Sequence, residues 1–166
     1  MTIRRCLLFG LLALPPSAPV GAADGLYLGA EAGVLERDVA GFDNAVNAGI
    51  RIGYEFQNIG IGDLAIEGSY IDSVSDGDLP AGGEWSMKAF SGFVVLRTAG
   101  PIYLKGRAGF SAWDVDAGAA SADGTDFSYG LGAGLSFGVA QLEIEYTVLE
   151  DDLKYYGAAL NIMTPF

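Results

Sequence analysis

Two glutamates spaced two residues apart are the most promising pair for acid–base chemistry in this sequence. Glu143 and Glu145 would lie on one face of a β-strand, where two carboxylates can divide the roles of general acid and general base. The same spacing arises in any strand that turns one face toward a polar interior, and Lys105 and Arg107 of a nearby segment are then the expected partners. We therefore expect an ion-pair network here and no catalytic residue.

Two other segments contain the residue types of ligand sites without the required spacing. The acidic segment Asp114–Asp126 lacks the alternate acids followed by glycine that define an EF-hand loop. Gly130, Gly132 and Gly134 lack the spacing and the strand–helix context of a nucleotide loop, and they are better explained as relief of crowding inside a narrow barrel. Because the chain has no histidine, His-dependent triads and His-ligated zinc sites are excluded. We expect no metal site and no cofactor.

The composition combines acidity with high hydrophobicity. The 166 residues carry a formal net charge of −12, and 51% of them are hydrophobic while only 18% are charged. A nucleic-acid partner is not expected, because binding to phosphates needs clustered Lys and Arg. This balance indicates that apolar side chains face something other than an ordinary soluble core.

The first 23 residues have the pattern of a secretory signal peptide. Two arginines precede an apolar run at residues 6–14, and the small residues Gly-Ala-Ala follow a proline-containing break. The run is far shorter than the roughly 18 residues that a membrane-spanning helix needs. We therefore predict that residues 1–23 are cleaved and that residues 24–166 form the mature domain, which then contains no cysteine.

The rest of the chain alternates bulky apolar residues with small or polar ones. The alternation recurs in eight segments of about ten residues, and it is cleanest from Phe127 to Phe137. A period of two in eight such segments predicts an all-β fold, an eight-stranded antiparallel up-and-down transmembrane β-barrel. A soluble barrel would show the same period with its apolar side chains inward. Here the bulky apolar side chains suit contact with lipid, and the small or polar side chains on the other face of each strand suit a narrow lumen.

Charges on the small parity nearly cancel, which suits the interior of such a barrel. A charge that faces the centre of the bilayer costs roughly 2–4 kcal/mol, so these side chains should turn inward. The predicted lumen charge network consists of Glu31, Arg51, Glu55, Glu67, Lys88, Lys105, Arg107, Glu143 and Glu145. The alternative, for a soluble protein, is a solvated outer face.

The fourth segment, from Trp85 to Leu96, alternates least clearly. We place Lys88 on its lumen face, although Phe90 and Val94 interrupt the polar parity there. The residues expected on its lipid face are Met87, Ala89, Phe93 and Val95. Outward aromatic residues should form two girdles at the membrane–water boundaries, with Trp85 in the outer one.

The connections between segments alternate in length, which orients the barrel. Connections after the odd-numbered segments are mostly long, and Asp72–Glu84 and Asp114–Asp126 are among them. Outer-membrane barrels have short periplasmic turns and longer outside loops, so both termini should be periplasmic. The long connections hold 14 acids against Arg37 and Lys154. We expect an acidic outer rim with weak divalent-cation association.

The end of the chain carries the most specific pattern. Phe166 follows Tyr156, Leu160 and Ile162 on one parity, and this arrangement resembles the terminal signature that the bacterial barrel-assembly machinery reads. The segments GLYLGAEAG, LAIEGSY and YLKGRAGFS resemble the small eight-stranded barrels of the OmpA transmembrane-domain and OmpX type. The resemblance implies the outer membrane of a Gram-negative cell, periplasmic chaperones during biogenesis, surrounding lipopolysaccharide, and a monomer.

These features predict a non-catalytic outer-membrane protein with an envelope-integrity or surface-recognition role. Two alternatives stay open at this point. Inward glycines could leave the lumen under-filled, as in a narrow pore or small-solute channel, and the acidic loops could form an adhesion module. Small outer-membrane barrels that modify lipid A or cleave proteins resemble one another in needing a histidine, which this sequence lacks.

Replacing Phe166 with aspartate should lower the amount of protein in the outer membrane, because the assembly machinery would no longer read the terminal strand. Immunoblots of membrane fractions measure this effect. The same variant refolded from urea should unfold close to the wild-type midpoint, which separates assembly from stability. Unchanged levels in the membrane would refute the assembly role.

Overall fold

The computed structural model describes residues 25–38, 43–79, 82–118 and 120–165, most of which lie in β-strands. The strands are β1 (Gly25–Arg37), β2 (Ala45–Asn58), β3 (Gly62–Ser75), β4 (Gly77–Asp78), β5 (Glu84–Thr98), β6 (Ile102–Ala117), β7 (Ala120–Phe137), β8 (Ala140–Glu150) and β9 (Leu153–Pro165). The predicted signal peptide and Phe166 lie outside the described residues, so both remain predictions. Within the described ranges no helix is long and apolar enough to cross a membrane.

Eight of these strands close into one antiparallel barrel. Hydrogen-bonded neighbours follow the order β3-β2-β1-β9-β8-β7-β6-β5, and a further pairing between β3 and β5 closes the sheet. The two-residue β4 pairs only with the end of β5. Closure satisfies the backbone groups of the strands where they cross the membrane, which a sheet in hydrocarbon requires because no water is available there. The predicted eight-stranded barrel is confirmed.

Side chains alternate between the outside and the lumen along each strand. In β7 and β8, Leu131 is 71% exposed and Ile144 is 65% exposed, whereas Glu143 between the outward positions of β8 is fully buried. The exposed belt includes Leu28, Ile50, Ile52, Ile66, Phe90, Val94, Leu104, Phe110, Leu131, Ile144 and Leu160. An apolar outer surface around a polar interior is the reverse of a soluble barrel.

The barrel has two ends that differ in their connections. Residues 59–61, 99–101 and 138–139 connect strands at one end, which we call the short-turn end. Exposed aromatic rings lie near it at Tyr54, Phe56 and Phe137. The opposite end, which we call the hairpin end, has exposed rings at Tyr70, Phe110, Phe127, Tyr129 and Tyr156. The two predicted girdles of aromatic residues are therefore present on the outer surface.

Strand β5 points its side chains opposite to the sequence prediction. Trp85, Met87, Ala89, Phe93 and Val95 are buried in the lumen instead of facing lipid, and Trp85 is not part of the girdle. The residues on the opposite parity, including Phe90 and Val94, are exposed. The interior beside β5 is apolar for most of its length, so the face that carries Trp85 and Met87 packs inward.

A β-hairpin replaces the predicted loop at Asp114–Asp126. Strands β6 and β7 stay paired through this segment, and only residues 118 and 119 lie between them. The indole Nε1 of Trp113 donates a hydrogen bond of 2.8 Å to Asp126 Oδ2. The ring also lies over Gly124, where a Cβ atom would come within 2.7 Å of it. Trp113 and Val115 are buried on the inner face, which continues the strand beyond the aromatic girdle.

Two apolar clusters and a charged layer fill the lumen. The cluster at the hairpin end, here called the outer cluster, consists of Leu35, Ala45, Ile71, Trp85, Met87, Ala89, Trp113, Val115, Leu149, Leu153 and Tyr155. A smaller cluster toward the short-turn end contains Tyr27, Ala65, Phe93 and Val95. Along β1 the inward residues Tyr27, Glu31 and Leu35 belong to the smaller cluster, the charged layer and the outer cluster in turn. The outer cluster therefore separates the charged layer from the hairpin end of the barrel.

Single cysteines at the two ends should report the orientation of the barrel. We expect a membrane-impermeant maleimide to label Ala120→Cys on intact cells and to leave Ala99→Cys unlabelled, because the hairpin end should face outward. Both positions are exposed, so accessibility within the fold is matched. Labelling of both after cell lysis is the control, and the reverse pattern on intact cells would overturn the topology.

Candidate functional site

Arg51 of β2 lies at the centre of the charged layer. Its Nη2 donates to the carboxylate of Glu31 on β1 and, at 2.6 Å, to Glu145 Oε1 on β8. Its Nη1 donates to Glu143 Oε2 at 3.1 Å. All four side chains are buried, so one guanidinium joins acids from two other strands across the lumen.

Two bases on β6 contact Glu143 and Glu145 as well, and they also contact Glu67 of β3. Lys105 Nζ lies 2.8 Å from Glu143 Oε2, and 3.2 Å from both Glu145 Oε2 and Glu67 Oε2. Arg107 Nη1 lies 3.2 Å from Glu67 Oε1, and its Nη2 lies 2.9 Å from Glu145 Oε1. The side chains therefore form one network instead of isolated pairs.

Arg97 of β5 belongs to this network and was missed by the sequence prediction. Its Nε donates to Glu143 Oε1 at 2.9 Å, and its Nη1 lies 3.5 Å from Glu55 Oε2. The guanidinium carbon lies 4.8 Å from the ring centroid of Tyr27, within cation–π distance. Arg97 shares its parity with Val95, which was placed toward lipid. The cost of a lipid-facing arginine was the available signal that this parity turns inward.

The prediction that Lys88 lies in the lumen is wrong. Its side chain is 56% exposed on the outer surface, and its Nζ lies 3.9 Å from Asp114 Oδ1. The strand parity of β5 explains both errors, because Lys88 and Arg97 lie on opposite faces of that strand. The structure brings the other eight predicted residues together in the lumen: Glu31, Arg51, Glu55, Glu67, Lys105, Arg107, Glu143 and Glu145.

Tyrosine rings and inward glycines fill the space around the charges. The hydroxyl of Tyr103 donates to Glu143 Oε1 at 2.9 Å, and that of Tyr27 donates to Glu67 Oε2 at 2.8 Å. A Cβ atom on Gly134 would collide with the ring of Tyr103. The inward glycine thus makes room for an aromatic ring and does not leave a gap in the lumen.

The arrangement has the chemistry of a structural ion network. Glu143 and Glu145 each lie against several cationic side chains, so neither carboxylate is held ready to accept a proton from a substrate. Within the described ranges no group of three or more His, Cys, Asp or Glu side chains is placed to hold a metal ion. Buried charges of this kind are tolerated because each one is paired.

The residues of the predicted assembly signal lie on the outer surface of β9. Tyr156, Leu160 and Ile162 are all exposed on the belt, on the same face of the strand. The ring of Tyr156 packs against Tyr146 with centroids 5.0 Å apart. Their role in recognition by the assembly machinery stays a prediction.

A closed eight-stranded barrel with an apolar belt, aromatic girdles and charges inside defines a transmembrane β-barrel of the outer-membrane class. Residues 5–163 match the family described as outer membrane protein beta-barrel domain. The chain belongs to this family, which lies in the bacterial outer membrane. The resemblance to small outer-membrane barrels that the strand motifs indicated is confirmed.

Three solved structures share the fold at low sequence identity. Neisserial surface protein A superposes with a TM-score of 0.58 and 16% identity, covering 86% of this chain and 99% of that chain. The attachment invasion locus protein Ail of Yersinia pestis, in complex with the heparin analogue sucrose octasulfate, gives 0.52 and 17%, covering 87% and 98%. The outer membrane enzyme PagL gives 0.53 and 15%, covering 82% and 98%. Such identities establish fold alone. Among curated protein sequences none matches this chain.

Replacing Arg51 with methionine should lower the free energy of unfolding by roughly 3–5 kcal/mol, because it leaves buried carboxylates without their shared cation. The matched control is Lys88→Met, which removes an exposed cation and should change the same quantity by about 1 kcal/mol or less. Urea unfolding of both variants in lipid vesicles measures the difference. Equal midpoints for the two variants would mean that the network does not stabilise the barrel.

Proposed function

We propose that this protein is a non-catalytic outer-membrane barrel that keeps its lumen closed and contacts the surroundings through the β6–β7 hairpin. The closed lumen is the observation that carries the proposal. The network around Arg51 spans the interior, and the outer cluster covers it from the hairpin end. Because the interior is filled, a partner of this protein has to contact its outer surface or its projecting strands.

The filled lumen argues against a role as a narrow pore. Trp85 and Tyr155 are each about 1% exposed within the outer cluster, and Arg51 and Lys105 are buried beneath them. A conducting path needs a continuous polar, hydrated route, as in larger barrels with water-filled interiors. Here a solute would have to displace packed aromatic rings and paired charges.

The β6–β7 hairpin supports a recognition role at the hairpin end. Strands β6 and β7 pair with each other as far as Ala117 and Ala120 at the tip of the hairpin, whereas β7 pairs with β8 only from Tyr129 onward. Among the described residues no strand pairs with the other edge of residues 120–127. Unpaired strand edges accept extended peptides by strand addition. The exposed Asp116 and Asp123 favour a basic segment as the partner.

The non-catalytic part of the proposal rests on the composition and on the ion pairs of the lumen. PagL is an enzyme with the same fold, so the fold does not decide between an enzyme and a binding protein. The complete absence of histidine supports a binding protein, and so do the ion pairs that Glu145 forms with Arg51 and Glu143 with Lys105.

We further propose that the signal peptide is cleaved, that both termini are periplasmic, and that the protein is a monomer surrounded by lipopolysaccharide. Divalent cations would bridge the acids of the rim weakly to lipid phosphates.

Planar-bilayer recordings test the closed lumen. The purified full-length barrel should give no stable unitary conductance, because the network and the outer cluster fill its interior. The positive control is the triple variant Trp85→Ala, Trp113→Ala, Arg51→Ala. It should conduct, because it removes side chains from the outer cluster and from the charged layer. Reproducible single-channel steps from the unmodified barrel would replace the proposal with the pore alternative.

Retention of extended basic peptides on immobilised barrel tests the recognition surface. Retention should fall for Asp116→Lys with Asp123→Lys, because Asp123 lies on the free edge of β7 and Asp116 is exposed on the neighbouring strand β6. The matched control, Asp76→Lys with Asp78→Lys, changes the net charge equally at another part of the rim. A similar loss in both double variants would show that only net charge matters, and no retention by the unmodified barrel would contradict the recognition role.

A further inference from the structure

Three glycines on the lipid-facing surface, Gly68, Gly92 and Gly106, have no steric reason to be glycine, and the first two line a groove. A Cβ atom on Gly92 would meet nothing within 4 Å, and on Gly68 its closest neighbour would be Ile52 Cγ2 at 3.9 Å. Neither residue has a positive φ angle. They contrast with Gly134, whose missing side chain makes room for a tyrosine ring. Glycine inside a strand weakens it and often marks the close approach of another molecule.

Gly68 and Gly92 lie directly opposite each other and form the floor of this groove. The register pairs Gly68 of β3 with Gly92 of β5. The surrounding groove has a volume of about 790 Å³, and Ile52, Ile66, Val94 and Phe110 are among the residues that line it. All four side chains are exposed and apolar, so the walls are hydrocarbon and aromatic.

The groove crosses the strands beside a line of cross-strand pairs, and the neighbouring row of Tyr54, Ile66, Val94 and Ala108 forms its other wall. The line runs from Ile52 through Gly68 and Gly92 to Phe110 and Phe127, which covers β2, β3, β5, β6 and β7. Four inter-strand spacings of about 4.8 Å give a length of about 19 Å. With a strand tilt of roughly 40°, the line descends about 12 Å, comparable to one leaflet of a hydrocarbon core of about 30 Å.

The line rises toward the hairpin end at β7. Phe127 lies ten residues before Phe137, where β7 ends, whereas Ile52 lies six residues before Asn58, where β2 ends. Phe110 and Phe127 pack edge to face with centroids 5.7 Å apart at the upper end. The groove therefore begins at the aromatic girdle of the hairpin-end leaflet and descends toward the middle of the membrane.

We propose that this groove binds one acyl chain of a lipid in the hairpin-end leaflet. An acyl chain is apolar, unbranched and anchored at the girdle. It matches the apolar walls, the space that the missing side chains of Gly68 and Gly92 leave, and the depth of one leaflet. A second barrel presents a convex surface and could fill an inclined groove only with a matching ridge of side chains. The bound chain replaces the packing that two larger side chains would provide.

Photolabelling in vesicles of defined composition tests the site. The full barrel is reconstituted in dimyristoyl phosphatidylcholine with a trace of the same lipid carrying a diazirine on its acyl chain. Labelled peptides are then mapped by mass spectrometry. Labelling should concentrate on the β3 and β5 segments around Gly68 and Gly92, well above the level on the rest of the belt.

Filling the groove should abolish that concentration. Gly92→Leu occupies space that holds no atom and should fold, which heat-modifiable migration on a gel verifies. The matched control is Ala158→Leu, another exposed small residue, on β9, that does not line the groove. We expect loss of the β3–β5 labelling in the first variant and none in the second.

Three outcomes would overturn the proposal. Even labelling around the whole belt of the unmodified barrel means that lipid only solvates the groove, and this result needs no variant. Cross-links between barrels at β3 and β5 mean that a second copy covers the groove. If Gly92→Leu does not fold, Gly68→Val carries the same expectation, and persistent labelling in a folded variant also rejects the site.

Discussion

The structure depends on the cost of exposing polarity to hydrocarbon. Backbone groups satisfy this constraint by closing the sheet, since β1 pairs with β9 and β3 with β5. Charged side chains satisfy it by turning inward, where acids and bases from several strands share a narrow space. A single buried charge would be costly there, but Arg51, Arg97, Lys105 and Arg107 lie among five carboxylates and compensate one another.

The layers above and below the charges follow from the same constraint. Inside the membrane the lumen has to be narrow, and inward glycines accept tyrosine rings that also donate hydrogen bonds to the carboxylates. Beyond the girdle the strands leave lipid, and their inward faces carry Trp85, Trp113 and Leu149. The outer cluster thus resembles the core of a soluble protein, and it lets β6 and β7 continue as an ordered hairpin.

Sequence patterns predicted the parts of the fold that depend on one strand at a time. The alternation of β7 and the paired acids of β8 were read correctly because one parity is clearly small or polar. The prediction for β5 failed because both faces of this strand carry apolar residues, so only the cost of a lipid-facing Arg97 could have oriented it from the sequence. The hairpin was missed because its acids suggested a loop, while Trp113 and Val115 carried the strand pattern. The groove could not be predicted, since it depends on the register that sets Gly68 opposite Gly92.

The closing seam has a consequence for the order of events during folding. The register joins Gly25 to Pro165, so the two strands furthest apart in sequence pair with each other to close the barrel. Arg51 likewise finds Glu143 and Glu145 more than ninety positions away. Contacts of such long range form slowly because chain entropy must be lost first. An unfinished barrel therefore carries uncompensated charges and open edges, and it needs protection until its final strand arrives.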